Sequence, residues 1–325
     1  MNRHGLLLTL AIGALVSFAF PLSHASAQTD AGGLLSPWPT GLSMESETDA
    51  ILENAGHVKE DGDSLRLGQY ESQGRWKLID TYKINPTIGY DAYYLDINSR
   101  DPRLPKHLVD ASVGFATPLA KVGEWFFAAS GAVGYAGNAP MTQGSAYYGK
   151  ATVLFGKELG PDSNLIFGLD YNGNRAEFPD LPLPGFAYTK RINPTLLAAV
   201  GFPYTTLTWT PVDYVNIKVK YTFPELYELE ATYNLTKQVG LFVNLTDEEK
   251  VFHLQDAPHD HRLFFEQQRA ETGVRWEPIS NVSLLVAGGY AFNTKFDEGF
   301  NAYDAETLLH SSEEAYVRIG LELRR

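Results

Sequence analysis

The chain lacks cysteine, and it lacks any long apolar run beyond its first residues. With no cysteine among 325 residues, it can form no disulfide, no thiolate metal site and no cysteine-linked lipid anchor. After the apolar stretch from Gly5 to Phe20, no run approaches the roughly 18 apolar residues that a spanning helix requires. If the chain enters a membrane, it must therefore do so as strands.

Basic residues are scarce relative to acidic ones. Lys and Arg number 26 against 39 Asp and Glu, and the net charge is −13. Because no basic stripe is present, we expect no nucleic-acid partner. The segment from Gly144 to Lys150 resembles the start of a phosphate loop, but Ala151 stands where Ser or Thr is required. We therefore expect no cofactor.

The N-terminus has the pattern of a secretory signal. Arg3 precedes the apolar run, and Ala25-Ser26-Ala27 provides a small-residue cleavage site. An uncleaved membrane helix is the alternative. We predict a signal peptide over 1–27, a partly disordered periplasmic extension over 28–74 and an outer-membrane β-barrel over 75–325. The acidic stretch within the extension is interpreted as a solvated tether, with a plug in the barrel as the alternative.

Apolar and polar residues alternate along most of the remaining chain. In the run 215–221, Val215, Ile217 and Val219 lie on one face of a strand, whereas Lys218 and Lys220 lie on the other. Strands with one apolar and one charged face are typical of a closed sheet that is apolar outside and polar inside. The fold class predicted is all-β, an antiparallel up-and-down transmembrane β-barrel.

Short turns alternate with long polar links, as they do between the two sides of an outer-membrane barrel. We predict about twelve strands, within a range of about 10–14, and an even number places both chain ends in the periplasm. Residues 64–84 could supply an additional hairpin. The stretch 192–210 is interpreted as one long strand with a bulge at Gly201-Phe202-Pro203. The predicted strands are 87–97, 107–117, 123–136, 146–156, 163–172, 192–210, 213–222, 226–234, 238–246, 263–276, 281–293 and 313–324.

Several short motifs carry a family resemblance. They include Ile84-Asn85-Pro86, Leu104-Pro105, Gly201-Phe202-Pro203-Tyr204 and Trp209-x-Pro211. With these motifs, the region 84–295 resembles a bacterial outer-membrane β-barrel family of unknown function. The resemblance implies the barrel fold and an outer-membrane location in a Gram-negative-type bacterium. It implies no chemistry.

Charged residues on the polar faces are the candidate functional residues. A hairpin closed by Thr222–Glu225 places Lys218 opposite Glu230 and Lys220 opposite Glu228. These charges either line an open pore or fill the lumen with ion pairs, and we favour the filled or narrow lumen because the signs are evenly mixed. The predicted lumen-facing charges are Lys150, Asp170, Lys218, Lys220, Glu228, Glu230, Arg269, Glu271, Arg275, Arg318 and Glu322.

Three tryptophans lie beside predicted short turns. Trp125 follows a turn, and Trp209 and Trp276 both precede proline in a repeated Trp-x-Pro motif. Indole rings prefer the interface between lipid and water, so we predict an aromatic girdle at the periplasmic side. Ordinary strand aromatics are the alternative.

Signals for catalysis and metal binding are weak. His253, His259 and His261 form a possible metal-ligand group on a predicted loop over 247–262, although solvated histidines are the simpler interpretation. No nucleophile elbow is present, so we expect no enzyme. The leading hypothesis is a porin-like or narrow channel. The alternatives are a structural or surface-interaction barrel and a lipid-modifying enzyme. The expected partners are outer-membrane lipids and the barrel assembly machinery.

Overall fold

The computed structural model of the protein describes most of the chain after residue 33. The predicted signal peptide, residues 1–27, lies outside the described residues. None of the helical segments in the described part is long and apolar enough to cross a membrane. The described residues are 34–36, 38, 41–60, 62–79, 85–139, 141–224, 226–255, 257–258 and 261–325.

The described chain is almost entirely β-structure, with one short 3-10 helix at Gly144–Ala146. Its strands, in chain order, are β1 (Met44–Glu53), β2 (Gly56–His57), β3 (Ser64–Lys77), β4 (Thr87–Ser99), β5 (His107–Val122), β6 (Trp125–Gly137), β7 (Tyr147–Gly160), β8 (Ser163–Asn172), β9 (Leu183–Asn193), β10 (Leu196–Phe202), β11 (Tyr204–Val212), β12 (Val215–Thr222), β13 (Leu226–Asn234), β14 (Val239–His253), β15 (Arg262–Ile279), β16 (Val282–Gly299), β17 (Glu306–His310) and β18 (Glu314–Arg324).

These strands form one closed antiparallel sheet. Consecutive long strands pair with each other, and β1 closes the circle by pairing with both β18 and β3. Strands β2 and β17 are short additions that pair with β3 and β16. The wall built from the described residues therefore has 16 strands. The predicted antiparallel barrel is confirmed, but the predicted count of about twelve is wrong.

Two of the missing strands come from the predicted N-terminal extension. Residues 44–74 lie in β1 and β3 rather than in a periplasmic tether, because β1 pairs with β18 over nine residues from Glu45↔Arg324 to Glu53↔Tyr316. The extension boundary at residue 74 is therefore wrong for this part. The acidic character of β1 suggested solvated chain, yet Glu47 and Asp49 face an interior in which Arg318 neutralises them.

A third missing strand comes from the stretch 192–210. It is not one bulged strand, because Leu196 pairs with Trp209 and Ala199 with Thr206, which makes β10 and β11 a hairpin. Pro203 lies at its tip, after a cis peptide bond with Phe202. The fourth missing strand is β9, which lies almost wholly between the predicted strands 163–172 and 192–210, where a long polar link was expected. Proline marked a reversal of the chain here rather than a bend.

Turns and loops segregate to the two ends of the barrel, as predicted. At one end, here called the turn end, the described residues include the start of β1, the end of β18 and tight turns at 123–124, 161–162, 194–195, 213–214 and 280–281. The described residues at the opposite end, the loop end, belong to the links 54–63, 100–106, 138–146, 173–182, 254–261 and 300–313. Two short links, at 203 and 223–224 among the described residues, also lie at the loop end.

The outer surface of the wall is apolar. Val274, Val286 and Ile319 are directly paired across β15, β16 and β18, and all three are exposed on the outside. Their neighbours one residue along point into the interior, where Arg269, Glu271 and other charged residues are buried. The predicted arrangement, with an apolar outside and a polar inside, is present in the described wall.

The wall is uneven in height. Strands β15 and β16 have 18 residues each, whereas β10 has 7 and β12 has 8. At about 3.3 Å per residue, this difference corresponds to about 35 Å along the strands. The wall from β10 to β13 is therefore low at the loop end.

A hydrophobic core fills the barrel at its loop end. The end of β14 crosses toward β6, where His253 forms a parallel bridge with Gly137, and Phe252 packs against Tyr93 of β4. The walls thus touch across the interior. Buried members of the core are Val58, Leu65, Leu67, Tyr93, Leu95, Ile97, Leu104, Leu108, Ala136, Tyr148, Phe252, Leu263, Phe265, Phe296 and Leu309.

Candidate functional site: the barrel lumen

The inward side chains change in character from the turn end to the loop end. The alternating pattern of β3 and β4 places one pair of inward residues at each level, because these two strands are in register. From the turn end upward the inward pairs are Arg75 with Gly89, Gln73 with Asp91, Glu71 with Tyr93, Gln69 with Leu95, and Leu67 with Ile97. The lumen is therefore polar at mid-height and apolar at the loop end.

A polar cavity lies at mid-height, between β1, β3 and β4 on one side and β14, β15 and β18 on the other. It is called the mid-lumen cavity below. Five carboxylates and three cations contribute to its lining, so acidic groups outnumber basic ones. The charged lining residues are Glu47, Asp49, Glu71, Asp91, Glu271, Lys250, Arg269 and Arg318.

Arg269 connects two sides of the barrel that are not neighbours in the sheet. Its Nη1 donates to Oε1 of Gln69, 2.7 Å away on β3, and lies 3.0 Å from Oε2 of Glu248 on β14. Gln69 in turn donates to Oε1 of Gln267 at 2.7 Å. Since β16, β18 and β1 separate β15 from β3, these bonds cross the lumen. They hold the interior closed at the base of the loop-end core.

A second cluster surrounds Arg318 of β18. Its Nε donates to Oδ1 of Asp49 at 2.9 Å and its Nη1 to Oε1 of Glu271 at 2.7 Å. The hydroxyl of Tyr316 donates to the other oxygen of Glu271 at 3.1 Å. One predicted lumen residue, Arg318, thus joins another, Glu271, to the acidic strand β1.

The ladder predicted between β12 and β13 has the expected register. Lys218 lies opposite Glu230 and Lys220 opposite Glu228, and Nζ of Lys218 is 3.5 Å from Oε1 of Glu230. Arg275 lies 3.4 Å from the second oxygen of Glu230. Arg275 also lies 3.6 Å from Oε1 of Glu322 on β18, which places these two predicted residues in one chain of charges.

The remaining predicted lumen residues, Lys150 and Asp170, lie apart from that chain of charges. Lys150 of β7 is buried, with its Nζ 5.3 Å from the centre of the Tyr148 ring. Asp170 of β8 accepts a hydrogen bond from Oγ1 of Thr152 at 2.6 Å and pairs with Arg175. All eleven predicted charges are on lumen-facing positions of the wall.

Several lumen residues were missed from the sequence. Glu47, Asp49 and Glu71 lie on the strands assigned to the extension, and Glu248 and Lys250 lie where a loop was predicted. The missed signal was the period of two: acidic residues occupy alternate positions of β1 from Glu45 to Asp49. Along β14, the inward series from Asn244 continues through Thr246 to Glu248 and Lys250.

The three predicted interface tryptophans lie at the turn end. Trp125 is the first residue of β6, and Trp209 and Trp276 are exposed near the ends of β11 and β15. The repeated Trp-x-Pro motif has a structural role, because the strand register shifts between Trp209 and Val212 and again between Trp276 and Ile279. Each bulge accommodates a proline that cannot donate a ladder hydrogen bond.

The histidines do not gather into a visible site. His253 is buried at the end of β14, whereas Nδ1 of His261 lies 3.4 Å from Glu298. His259 lies outside the described residues, and the residues that are described contain no group of three or more potential metal ligands.

Ion pairs brace the links at the loop end. Arg103 donates to Asp101, and these hydrogen bonds hold the pKa of the Asp101 carboxyl below its usual value. At Glu60, partial burial raises the carboxyl pKa, but hydrogen bonds from the His310 side chain and backbone lower it by more, so that the net pKa is lowered. These ion pairs lie outside the strands of the wall. They hold the links 54–63 and 100–106 in place above the loop-end core.

No model of a known protein family matches the chain, and no curated protein matches it in sequence. Some solved structures show a weak structural similarity to the chain. The toluene transporter TodX of Pseudomonas putida has 7% identity and a TM-score of 0.40, covering 95% of this chain and 96% of that one. A FadL homologue of Pseudomonas aeruginosa has 9% identity and a TM-score of 0.42, covering 94% and 95%.

The translocator domain of the autotransporter NalP from Neisseria meningitidis has 10% identity and a TM-score of 0.33, covering 99% of this chain and 96% of that one. TM-scores below 0.5 do not establish a shared fold. The closed barrel therefore rests on the strand pairing of this chain.

Proposed function

We propose that the protein is an outer-membrane barrel that forms a narrow polar passage, closed in this conformation and selective for cations when open. Its partners in this role are outer-membrane lipids and the machinery that assembles barrels there. The proposal assigns no catalytic residue.

The apolar outside of the wall supports a position in the membrane. A soluble protein rarely exposes more than a few hundred Å² of contiguous apolar surface. Here exposed valine, isoleucine, leucine and aromatic side chains recur on the outer face of strands throughout the described wall. A closed barrel leaves no unpaired sheet edge, so its backbone can lie in lipid without loss of hydrogen bonds.

The acidic excess of the mid-lumen cavity is the observation that carries the proposed selectivity. Five carboxyl side chains face three cations there. An excess of acidic groups along a narrow polar lumen attracts cations and repels anions.

The proposed passage is narrow because the interior is crossed. Barrels of 16–18 strands leave an aqueous channel when their lumen is empty. In this barrel, Arg269 bridges to Gln69 across the lumen and the loop-end core lies above it. We therefore expect single-channel conductance well below that of an open porin with the same number of strands.

Planar-bilayer recording under a potassium chloride gradient tests the proposal. We expect small conductance steps and a reversal potential with the sign of cation preference. Asp91→Asn, which removes a lining charge, should reduce that preference. Asp96→Asn is the matched control, because Asp96 lies on the same strand but is exposed on the outer face. Anion preference in the unmodified protein would contradict the proposal.

A second candidate, a structural barrel without transport, is favoured by one observation. The loop-end core joins β3 and β4 to β14, β15 and β16 and leaves its central leucines and phenylalanines fully buried. If purified protein gives no conductance under any condition, including after the lumen variants described below, this candidate replaces the channel.

A further inference from the structure

A short segment near the N-terminus, the described residues Leu34–Ser36 and Trp38, lies inside the barrel at its turn end. It is called the strap below. Leu34 and Trp38 are each only 6% exposed, although the segment belongs to no strand. Their contacts are with β3, β4 and β5, on the lumen side of the wall. The strap therefore fills part of the lumen just below the mid-lumen cavity.

Two inward glycines form the seat for Leu34. Gly89 of β4 and Gly114 of β5 are direct partners across the sheet. A Cβ atom added at Gly114 would lie 2.8 Å from Cδ1 of Leu34, and one added at Gly89 would collide with Cδ2. Because real Cβ atoms do not approach other carbons so closely, any larger residue at either position would displace Leu34. The wall is thus shaped to receive this side chain.

Trp38 is held by polar contacts as well as by burial. Its indole Nε1 donates to Oγ1 of Thr87 at 2.9 Å, and the guanidinium of Arg75 lies 4.4 Å from the centre of its ring. Nη1 of Arg75 also donates to the carbonyl oxygen of Ser36 at 2.6 Å. The cation–π contact with Arg75 and the hydrogen bond of the indole together fix one orientation of the strap.

Arg75 ties the strap to the barrel wall. Its Nη2 lies 2.6 Å from Oε2 of Glu45 on β1, so one guanidinium of β3 contacts both the strap and the neighbouring strand. One level above Arg75 and Gly89 lie Gln73 and Asp91, which line the mid-lumen cavity. The strap thus lies between that cavity and the turn end.

We propose that the turn-end lumen contains a binding site for an apolar side chain followed by an indole, and that the chain's own strap occupies this site to close the mid-lumen cavity from the turn end. Release of the strap opens the cavity to that side. The opening step rests on the proposed passage, whereas the binding site does not.

Cysteine accessibility tests the site without reference to conductance. Because the chain contains no cysteine, single variants report on one position each. In folded protein, Leu34→Cys should react with a soluble maleimide at least about tenfold more slowly than Ser43→Cys, whose side chain is exposed. Trp38→Ala should raise the rate at position 34 toward that of the control. Trp125→Ala, at the outer turn end, should leave it unchanged.

Conductance tests the closure. Trp38→Ala should raise the open probability several-fold, and a synthetic peptide with the sequence of residues 28–42 should reverse the effect when added on one side of the bilayer only. A peptide with both Leu34 and Trp38 replaced by alanine is the matched control. It should not close the channel.

The outcomes separate the two proposals. Equal labelling of Leu34→Cys and Ser43→Cys overturns the binding site. Slow labelling at position 34, combined with conducting channels whose open probability Trp38→Ala does not change, overturns closure by the strap. Slow labelling with no conductance in any variant refutes the passage instead, and the binding site stands.

Discussion

Replacement of Arg269 by methionine tests whether the cross-lumen network holds the barrel together. Methionine preserves much of the aliphatic volume but removes the guanidinium that joins β15 to Gln69 and Glu248. Glu248 is only 2% exposed, and the other cation within reach is Lys250, whose Nζ is 3.7 Å from its carboxylate. The variant therefore leaves a buried carboxylate with one distant partner.

The expected loss of stability is large. Removal of one partner from a buried ion pair costs about 3–5 kcal/mol, because the remaining charge is left without compensation. With a urea dependence of about 3 kcal/mol per molar, the unfolding midpoint in lipid vesicles should fall by roughly 1–1.7 M. Arg66→Met is the matched control, since Arg66 is exposed on β3. It should change stability by less than about 0.5 kcal/mol.

Glu248→Gln completes the test as a double-mutant cycle. In the double variant neither Arg269 nor Glu248 is left as a charge without the other, so its loss should be smaller than the sum of the single losses by about 2 kcal/mol. An Arg269→Met variant within about 1 kcal/mol of the unmodified protein, with effects that add to those of Glu248→Gln, would refute the network as a source of stability.

Three further perturbations probe the outer face, the ladder and the loop end. Val286→Lys should lower the free energy of unfolding in lipid by about 2–4 kcal/mol, because it places a charge on the lipid-facing surface. Tyr303→Lys, in the exposed link 300–313, is the control and should leave the stability almost unchanged. Equal losses of stability in urea titrations of the two variants would contradict the membrane position. Lys218→Met and Glu230→Gln should show a coupling of about 0.2–1 kcal/mol in the same titrations, and zero coupling would argue against their ion pair. The lowered pKa of Asp101 stabilises its link at pH values above the usual carboxyl pKa, and this contribution disappears as the pH falls through the lowered value. Cleavage of link 100–106 by an acid-active protease should therefore accelerate below about pH 4. Asp101→Asn should be cleaved quickly at pH 5 as well, and an unchanged rate in that variant would disprove the role of the carboxylate.

The barrel and its polar interior could be predicted because both depend on a period of two. Through most of β12 and β13 outward residues are apolar and inward residues are polar or charged, so the register of Lys218 with Glu230 followed from the turn alone. The same reasoning placed all eleven predicted charges on the inner face. A local pattern was sufficient wherever the wall was regular.

The parts that were missed depend on contacts between distant residues. β1 is rich in carboxylates, and only its pairing with β18 and the ion pairs of Arg318 distinguish it from a solvated tail. Similarly, the sequence Phe202-Pro203 is compatible both with a bend within a strand and with a reversal of the chain between two strands. The loop-end core and the strap join residues separated by dozens of positions, and no short-range pattern marks them.

Closure of the wall by β1 and β18 is the central structural claim, and a disulfide tests it most directly. Ala50 and Ile319 are direct partners on the outer face. We expect the variant with cysteine at both positions to cross-link on mild oxidation and to migrate differently from its reduced form after boiling. Cysteines at Ala50 and Val286 should not cross-link, because two strand spacings of about 10 Å in total exceed the reach of a disulfide. Absence of the cross-link between positions 50 and 319 in folded, membrane-inserted protein would contradict the closed barrel.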